Sequence, residues 1–360
     1  MKTVFKSRRR NLQNQLEEKG LAGIVSTRPA NWYYLTGFTG EAGALVVTRS
    51  RTFFLTDGRF VQQAKEETGG VEVLKQQPSL MESLGEEIRR RGLRRVGFDA
   101  GELSVAQFAA IRRAAGPKVR WVKTDGALST IRQRKDSNEI EQMRLSAQLA
   151  VEVLRGALAL LKPGVLEQEV AADIEYQMRK KGASGPAFET IVAFGERSAH
   201  PHARPIANRL RKNELVVLDL GAILGHYCSD ITRTVFVGRA PKRVREWYRA
   251  VQEAQAAAVS AVRVGASCAE VDHAARQILL KYRLERYFVH STGHGLGLEV
   301  HEEPRVARNQ KQILLPGNVV TIEPGVYMPG RGGIRIEDDV AVHAERTEIL
   351  TRMTRELIEI

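Results

Sequence analysis

An approximate internal repeat in the last two thirds of the chain constrains the fold more than any other feature. Residues 162–165 (Lys-Pro-Gly-Val) lead into a helical pattern that contains Glu169, and residues 263–266 (Arg-Val-Gly-Ala) lead into one that contains Glu270, 101 positions later. A repeated period of this kind is typical of duplicated structural units that pack against each other. The sequence therefore predicts two similar halves within this region.

Both halves show the same order of patterns. A long helical pattern comes first, at residues 139–161 and again at residues 243–262. A pair of apolar strands closes each half, and the pairs are residues 215–220 with 231–237 and residues 319–322 with 334–342. We therefore predict two helix-helix-hairpin units that face each other, with pseudo-two-fold symmetry.

The first third of the chain has a different pattern, in which helices and strands alternate. Helical patterns cover residues 12–19, 80–91 and 105–115, and strand patterns cover residues 23–26, 44–48, 52–56 and 95–98. Residues 124–138 are polar, and Ser137 is the predicted N-cap of the next helix. The sequence thus predicts an α/β (α+β) chain of two domains, residues 1–130 and 131–360.

Four acidic residues lie within the apolar strand patterns of the second domain: Asp219, Asp230, Glu323 and Glu337. A buried unpaired carboxylate costs several kcal/mol or takes up a proton. Four of them at matched positions therefore need a shared positive partner, and metal ions supply one. His294, between two glycines that permit close backbone approach, is the fifth candidate ligand.

The proposed ligand set also indicates which metals fit. One histidine among four oxygen ligands is a harder set than the Cys/His shells of structural zinc, so Mn²⁺, Co²⁺ or Fe²⁺ fits at least as well as Zn²⁺. Four carboxylates exceed what one divalent ion needs. Two ions about 3.5–4 Å apart, bridged by carboxylates and a hydroxide, would use every ligand.

The net charge of the chain indicates a competing function, nucleic-acid binding. The formal net charge of +13 is typical of some nucleic-acid-binding proteins, and the excess is mostly N-terminal, because residues 1–130 hold 22 Lys and Arg against 13 Asp and Glu. The basic residues form short clusters, which favours solvated faces.

Two cysteines are too few for a disulfide framework, and neither a signal peptide nor a membrane-spanning stretch is evident. We therefore expect a cytoplasmic protein without a membrane partner.

The motifs of the second domain resemble those of the pita-bread metallopeptidases, which include aminopeptidase P, prolidase, creatinase and methionine aminopeptidase. The matching motifs, in chain order, are LDLG at 218–221, SDITRT at 229–234, GHG at 293–295, VHE at 300–302, IEPG at 322–325 and RIED at 335–338. The resemblance implies that Asp219 and Asp230 hold one ion and that Asp230 and Glu337 bridge the two. His294 and Glu323 would complete the second ion site.

The first domain narrows the resemblance. Residues 34–38 (YLTGF) and 56–60 (TDGRF) look like the creatinase-type N-terminal domain of aminopeptidase P and prolidase. Methionine aminopeptidase lacks that domain, and creatinase and the nucleic-acid-binding relatives do not keep all five ligands. The resemblance therefore implies a creatinase-type α/β domain followed by a pita-bread domain, and an enzyme that acts before proline.

Three histidines match positions that proline-specific members of the family use. His202, His290 and His301 resemble the residues that line the scissile bond and the proline pocket. In the mechanism that this implies, a metal-bridged hydroxide attacks the scissile carbonyl and Glu323 acts as general base. His202 and His301 would donate hydrogen bonds to the tetrahedral oxyanion and to the substrate.

Two arginines complete the predicted substrate site. Arg335 matches the arginine beside the bridging glutamate, and Arg305, four residues after His301, resembles the arginine that some prolidases use for a dipeptide's carboxylate. We thus predict a homodimeric two-metal aminopeptidase, loaded with Mn²⁺, that cleaves peptides with proline second. The alternatives are an Xaa-Pro dipeptidase (prolidase) and a non-catalytic binding protein of the same fold; nucleic acid is not an expected partner.

Overall fold

A computed structural model describes residues 2–124 and 126–360. The chain divides into two compact units, Met1–Arg132 and Gln133–Ile360. Part of the predicted polar boundary, Asp125, lies outside the described residues. That residues 1–130 fold as a domain of their own stays a prediction.

The first unit is a six-stranded sheet with helices. Its helices are α1 Lys2–Glu18, α2 Pro29–Thr36, α3 Val61–Glu67, α4 Leu80–Arg90, α5 Val105–Ala115 and α6 Ala127–Arg132, and its strands are β1 Gly23–Ser26, β2 Ala44–Thr48, β3 Thr52–Thr56, β4 Glu72–Lys75, β5 Arg95–Phe98 and β6 Arg120–Lys123. The sheet order is β4-β3-β2-β1-β5-β6, antiparallel from β3 to β1 and parallel elsewhere. The predicted hairpin of residues 44–48 and 52–56 is present as β2 and β3.

The second unit contains four long helices and two main sheets. The helices are α7 Ser137–Ala157, α8 Glu167–Lys180, α9 Lys242–Ala261 and α10 Cys268–Lys281. The strands are β7 Gly185–Pro186, β8 Ile191–Phe194, β9 Leu215–Leu220, β10 Ala222–Leu224, β11 Tyr227–Cys228, β12 Ile231–Phe236, β13 Gly293–Gly295, β14 Glu302–Val306, β15 Val319–Ile322, β16 Gly325–Met328, β17 Gly332–Arg335, β18 Asp338–Val342, β19 Thr347–Ile349 and β20 Ile358–Glu359. Among the described residues, no helix is both long enough and apolar enough to cross a membrane.

Each half of the second unit repeats one arrangement, a helix pair followed by antiparallel strands. In the first half, α7 and α8 pack on β8, β9 and β12, which form a sheet in the order β20-β12-β9-β8. In the second half, α9 and α10 share a core with β15 and β18, whose sheet has the order β14-β13-β15-β18-β19. The predicted repeat is therefore present in the structure.

The start of α7 differs from the prediction by one residue. Asp136, and not Ser137, is the N-cap, because its carboxylate accepts the amide N–H groups of Asn138 and Glu139. The Glu139 side chain accepts the Asp136 amide in return and completes a capping box. Ser137 is instead the first helical residue.

The predicted strand 334–342 is wrong, since the chain breaks there into β17 and β18. β17 pairs with β16, whereas β18 pairs with β15 in another sheet. Glu337 lies in the gap between the two strands, so Arg335 and Glu337 do not share one face of a single strand. A continuous strand would alternate its side chains between two faces, and the break lets Glu337 turn inward.

The sequence predicts that all four acids lie inside strands, but in the structure not all of them do. Only Asp219 does, near the end of β9. Asp230 immediately precedes β12, Glu323 immediately follows β15, and Glu337 lies between two strands. Strand ends are freer to aim a side chain at a common point than strand interiors, because the ladder no longer fixes the direction of the side chain.

Candidate metal centre

The five predicted ligands meet on one pocket of about 270 Å³, whose lining includes Asp219, Asp230, His294, Glu323 and Glu337. The two acids of the first half come from the β9–β12 pair, and the other three residues come from β13, the end of β15 and the break before β18. The amide of Glu337 donates to the carbonyl oxygen of Thr232 over 3.1 Å, which joins the two halves directly at the pocket. The repeat therefore brings its matched acids together.

The ligand atoms are close enough to share cations. One ligand atom each of Asp230, His294 and Glu337 lies within 4.8 Å of the others. His294 Nε2 is 3.4 Å from Glu323 Oε1 and 3.9 Å from Asp230 Oδ2. Because protein ligands bind divalent ions at about 2.0–2.2 Å, two ligand atoms on one ion lie roughly 3–4 Å apart. The two separations from His294 Nε2 match that requirement.

Unpaired oxygens test whether the residues fit a metal. Among the described residues, Asp219 Oδ1 and Asp230 Oδ1 are buried and have no hydrogen-bond partner. A buried acceptor without a donor costs about 1–3 kcal/mol, more for a charged group. Divalent cations would satisfy both oxygens, and a set of four carboxylates with one imidazole suits hard ions. The donor set therefore fits metal ions, and Mn²⁺ as their identity stays a prediction.

Neighbouring side chains fix the carboxylates in place. Thr232 Oγ1 donates to Glu337 Oε2 over 2.5 Å, and Thr321 Oγ1 donates to Glu323 Oε1 over 3.3 Å. The Arg335 guanidinium forms a 2.5 Å ion pair with Asp219 Oδ2. Arg335 Nε also donates to Thr232 Oγ1 over 3.1 Å, so this arginine reaches Glu337 through Thr232 rather than by a direct ion pair. Such partners orient metal ligands.

The conformation of His294 suits ligation through Nε2. Its Nδ1 is 3.0 Å from the carbonyl oxygen of Gly295, and since a carbonyl only accepts, the proton of the neutral ring lies on Nδ1. Burial lowers the pKa of His294 to about 4, which favours that neutral form. The flanking glycines are required, because a Cβ at Gly293 would lie 1.8 Å from the carbonyl oxygen of Thr321.

His202 and His301 also line the pocket, as predicted for the residues around the scissile bond. The His301 ring contacts the His294 ring edge to face, with centroids 4.4 Å apart. Partial burial lowers the pKa of His301, so it is neutral at physiological pH and can donate from one ring nitrogen. Both histidines are thus placed to contact a substrate held at the pocket.

His290 lies beside the pocket rather than on its lining. Its Nδ1 is 2.8 Å from the carbonyl oxygen of Ser291, and its Nε2 is 2.8 Å from the hydroxyl of Tyr327. That hydroxyl accepts from Arg335 Nη1 over 2.6 Å, so a chain of hydrogen bonds runs from Asp219 through Arg335 and Tyr327 to His290. No sequence pattern indicates a role for Tyr327, because only the pairing of β16 with β17 brings it to Arg335.

The predicted arginines do not face the pocket. Arg335 is 2% exposed and lies behind Asp219. Arg305 is exposed on β14, its amide donates to the carboxylate of Glu303, and it is not among the residues that line the pocket. Six lining residues were not predicted from the sequence: Phe188, Glu189, Ile191, Ala203, Arg204 and Val300.

Without a cation, burial and mutual repulsion raise the pKa values of three ligands. The carboxyls of Asp230 and Glu337 are raised well above their usual range, mainly by burial and then by neighbouring carboxylates. Burial raises the pKa of Glu323 from 4.5 to about 8. At a pH between the ordinary and the raised pKa values, the metal-free folded protein therefore keeps protons on these carboxyls that the unfolded chain has already released.

The sign of the pH dependence follows from these shifts. Because their pKa values are raised in the folded protein, these carboxyls contribute stability that is fully present below about pH 4.5. This contribution is lost as the pH rises through about 8. We expect the Tm of EDTA-treated protein to fall by roughly 5 °C or more between pH 5 and pH 8, relative to metal-loaded protein. Thermal scans of both forms measure this. Parallel Tm curves would contradict the assignment of these carboxylates to a cation site.

Comparisons with known proteins agree with this geometry. Residues 141–344 match Metallopeptidase family M24, and residues 8–134 match the Creatinase/Prolidase N-terminal domain. An Xaa-Pro dipeptidase of Pyrococcus furiosus is 35% identical over 98% of this chain and 100% of that protein.

Two solved structures are similar over almost their whole length. An Xaa-Pro dipeptidase from Bacillus anthracis superposes with a TM-score of 0.94 and 35% identity. The match covers 99% of this chain and 100% of that one. An X-Pro aminopeptidase from Thermotoga maritima has a TM-score of 0.88 and 32% identity, over 96% of this chain and 100% of that one.

Proposed function

This chain belongs to metallopeptidase family M24, and from that premise we propose that it hydrolyses the bond between an N-terminal residue and a following proline. The matches also confirm the predicted fold class, a creatinase-type N-terminal domain followed by a pita-bread domain. One observation carries the proposal: the five predicted ligands converge on a pocket that His202 and His301 also line. The names of the similar proteins support the substrate class.

The preferred peptide length has two candidates. The relative from Pyrococcus furiosus and the structure from Bacillus anthracis are both named Xaa-Pro dipeptidases, which favours a dipeptidase. The structure from Thermotoga maritima is named an X-Pro aminopeptidase, which keeps the aminopeptidase predicted from the sequence as the second candidate. We place the dipeptidase first, because the relative from Pyrococcus furiosus and the structure from Bacillus anthracis both carry that name.

The ligand residues have a defined part in this chemistry. Asp219, Asp230 and Glu337 with His294 and Glu323 would hold two divalent ions, which when bound lower the pKa of a water and polarise the scissile carbonyl. Glu323 has one oxygen near His294 and the other 4.0 Å from His290 Nδ1. Its carboxylate lines the pocket, and we assign it the role of general base that accepts the proton of the attacking water.

The pocket also carries features that suit proline. The peptide bond before proline has no N–H, so a site cannot recognise this bond by accepting a hydrogen bond from it. The site must recognise the proline ring by its shape. Phe188, Ile191 and Val300 supply apolar side chains on the lining. His202 and His301 can donate hydrogen bonds to the developing oxyanion and to the substrate.

The remaining predictions about the protein's state stay proposals. They are Mn²⁺ as the native metal, a homodimer, and a cytoplasmic location, with neither membrane nor nucleic acid as a partner. Metal analysis of the purified protein and light scattering test the first two.

His301→Ala is expected to lower kcat by about 10²-fold, because it removes one donor to the oxyanion. The metals are expected to stay bound, since the five ligands are intact. Steady-state assays with Ala-Pro and elemental analysis of the purified variant measure the two quantities. Loss of metal from the variant would instead make His301 a ligand.

Turnover of three peptides tests the proposed function. Ala-Pro, Ala-Pro-Ala and the control Ala-Ala-Ala are assayed after EDTA treatment and after readdition of Mn²⁺. Metal-dependent cleavage of Ala-Pro alone indicates a dipeptidase, and release of alanine from Ala-Pro-Ala indicates an aminopeptidase. Cleavage of neither proline peptide with Mn²⁺, Co²⁺ or Zn²⁺ would refute the proposal.

A further inference from the structure

The segment 288–292 carries His290 and leads into β13, but its own backbone bonds hold it only weakly. In the described part of the chain, the amides of Val289, His290 and Ser291 donate no hydrogen bond to a backbone carbonyl. The Val289 side chain is 68% exposed, so packing holds the middle of the segment weakly as well. The position of His290 therefore depends on contacts from another element.

Arg276 of α10 supplies such contacts. Its Nη2 donates to the carbonyl oxygen of His290 over 2.6 Å, and its Nη1 donates to that of Phe288 over 3.2 Å. The guanidinium also lies over the Phe288 ring, 4.2 Å from the centroid. The Arg276 side chain is only 12% exposed, and hydrogen bonds from a charged donor are among the strong ones. One side chain thus fastens the segment on both sides of Val289.

Asp272 holds both Arg276 and the end of the segment. Its Oδ2 accepts from Arg276 Nε over 2.8 Å, and its Oδ1 accepts from Thr292 Oγ1 over 2.8 Å. The carbonyl oxygen of Thr292 in turn accepts the amide of Glu323 over 2.8 Å. Residues four apart on a helix share a face, so Asp272 and Arg276 act on the segment together. One face of α10 therefore holds the backbone of His290 and the backbone partner of Glu323.

The His290 ring contacts groups that belong to the proposed site. Its Nε2 is 2.8 Å from the Tyr327 hydroxyl, and its Nδ1 is 4.0 Å from Glu323 Oε2. Neither Asp272 nor Arg276 is among the residues that line the pocket, so their effect on the site must pass through the segment. A misplacement of about 1 Å can lower a rate by roughly 10²-fold even when its cause lies far from the reacting atoms.

We propose that Arg276, held by Asp272, is a positioning residue for the hydrolysis, because it fixes His290 against Tyr327 and Glu323. This inference rests on the proposed function. Arg276 acts through the backbone of His290, without touching the metal ligands or the lining of the pocket.

Kinetics of variants at Arg276 test the inference. Arg276→Met is expected to lower kcat for Ala-Pro about tenfold or more, with KM within about threefold and metal content unchanged. Arg276→Lys keeps the charge but not the planar pair of donors, so we expect an intermediate loss of about threefold. Lys281→Met removes an exposed cation of the same helix and is expected to leave kcat within about twofold.

A double-mutant cycle with His290 separates positioning from a general loss of stability. If Arg276 acts through His290, its removal changes little once the ring is gone. The double variant Arg276→Met/His290→Ala is therefore expected to have a kcat within about twofold of that of His290→Ala alone. Losses that multiply would overturn the inference, because Arg276 would then act through other residues. Thermal scans establish that each variant is folded at the assay temperature.

Crystal structures test the positioning without any assay of activity. In Arg276→Met we expect the distance from His290 Nε2 to the Tyr327 hydroxyl to exceed about 3.6 Å, too long for a hydrogen bond. An unchanged position of His290 would overturn the inference, as would wild-type kcat in Arg276→Met. If that variant does not fold, Arg276→Lys decides, and wild-type kcat there would overturn the inference.

Failure of the proposed function gives a different result. Wild-type protein that cleaves no proline peptide would refute the proposed function, whereas the structures still decide whether Arg276 fixes His290. The two failures are therefore distinguishable.

Discussion

Glu323→Gln is expected to lower kcat for Ala-Pro by about 10³-fold, within the range that a general base contributes. Glutamine has the same shape and keeps one oxygen near His294, but it cannot accept the proton of the attacking water. The carboxylate of Glu323 lies 3.4 Å from His294 Nε2 and lines the pocket, so the variant changes the reacting region itself. Steady-state kinetics at saturating Mn²⁺ give the size of the effect.

The design separates the role of base from the role of ligand, because Glu323 is predicted to be both. Elemental analysis and titration with Mn²⁺ measure metal occupancy in the variant. If the activity of Glu323→Gln returns fully with excess Mn²⁺, Glu323 is a metal ligand only. If the variant is fully active at ordinary Mn²⁺, Glu323 has no part in the site. Glu345→Gln, an exposed glutamate outside the lining, is the matched control.

Arg233→Met is expected to lower the free energy of unfolding by about 3–5 kcal/mol, the cost of breaking a buried ion pair by removing one partner. The Arg233 side chain is fully buried and forms a 2.8 Å ion pair with Asp338, which is buried as well. It also donates to four carbonyl oxygens: those of Thr232, Glu337, Met353 and Thr354. Methionine has similar bulk but removes all of these donors, and of the four carbonyl oxygens that of Thr232 keeps the amide of Glu337 as a donor.

This variant also tests how the metal site is supported. Arg233 Nη1 bonds to the carbonyl oxygens of Thr232 and Glu337, and Thr232 in turn holds the Glu337 carboxylate. We therefore expect weaker Mn²⁺ binding in addition to the lower stability seen in urea unfolding.

Two further variants serve as controls for Arg233→Met. Arg233→Lys keeps the charge but not the geometry, and Arg239→Met removes an exposed arginine of the same region. A loss of less than about 1 kcal/mol in Arg233→Met would contradict the structural role.

Much of the fold follows from local pattern alone. The hairpin of β2 and β3, helix α5 at residues 105–115 and the repeat of helix pairs were all predicted, because each depends on periodicity and turn residues within a short stretch. The same holds for the convergence of the metal-site acids. A carboxylate within an apolar pattern needs a positive partner wherever it is buried, and the repeat places such carboxylates at matched positions.

The sequence by itself therefore determined the repeat, the family resemblance and the five candidate ligands, while only the tertiary structure decided how they are held. The break between β17 and β18 directs Arg335 to Asp219. Tyr327 joins Arg335 to His290, and Arg204 faces the pocket where Arg305 does not. Each of these contacts depends on strand register or on loop conformation fixed by distant residues, and no local pattern encodes a distance between residues far apart in the chain.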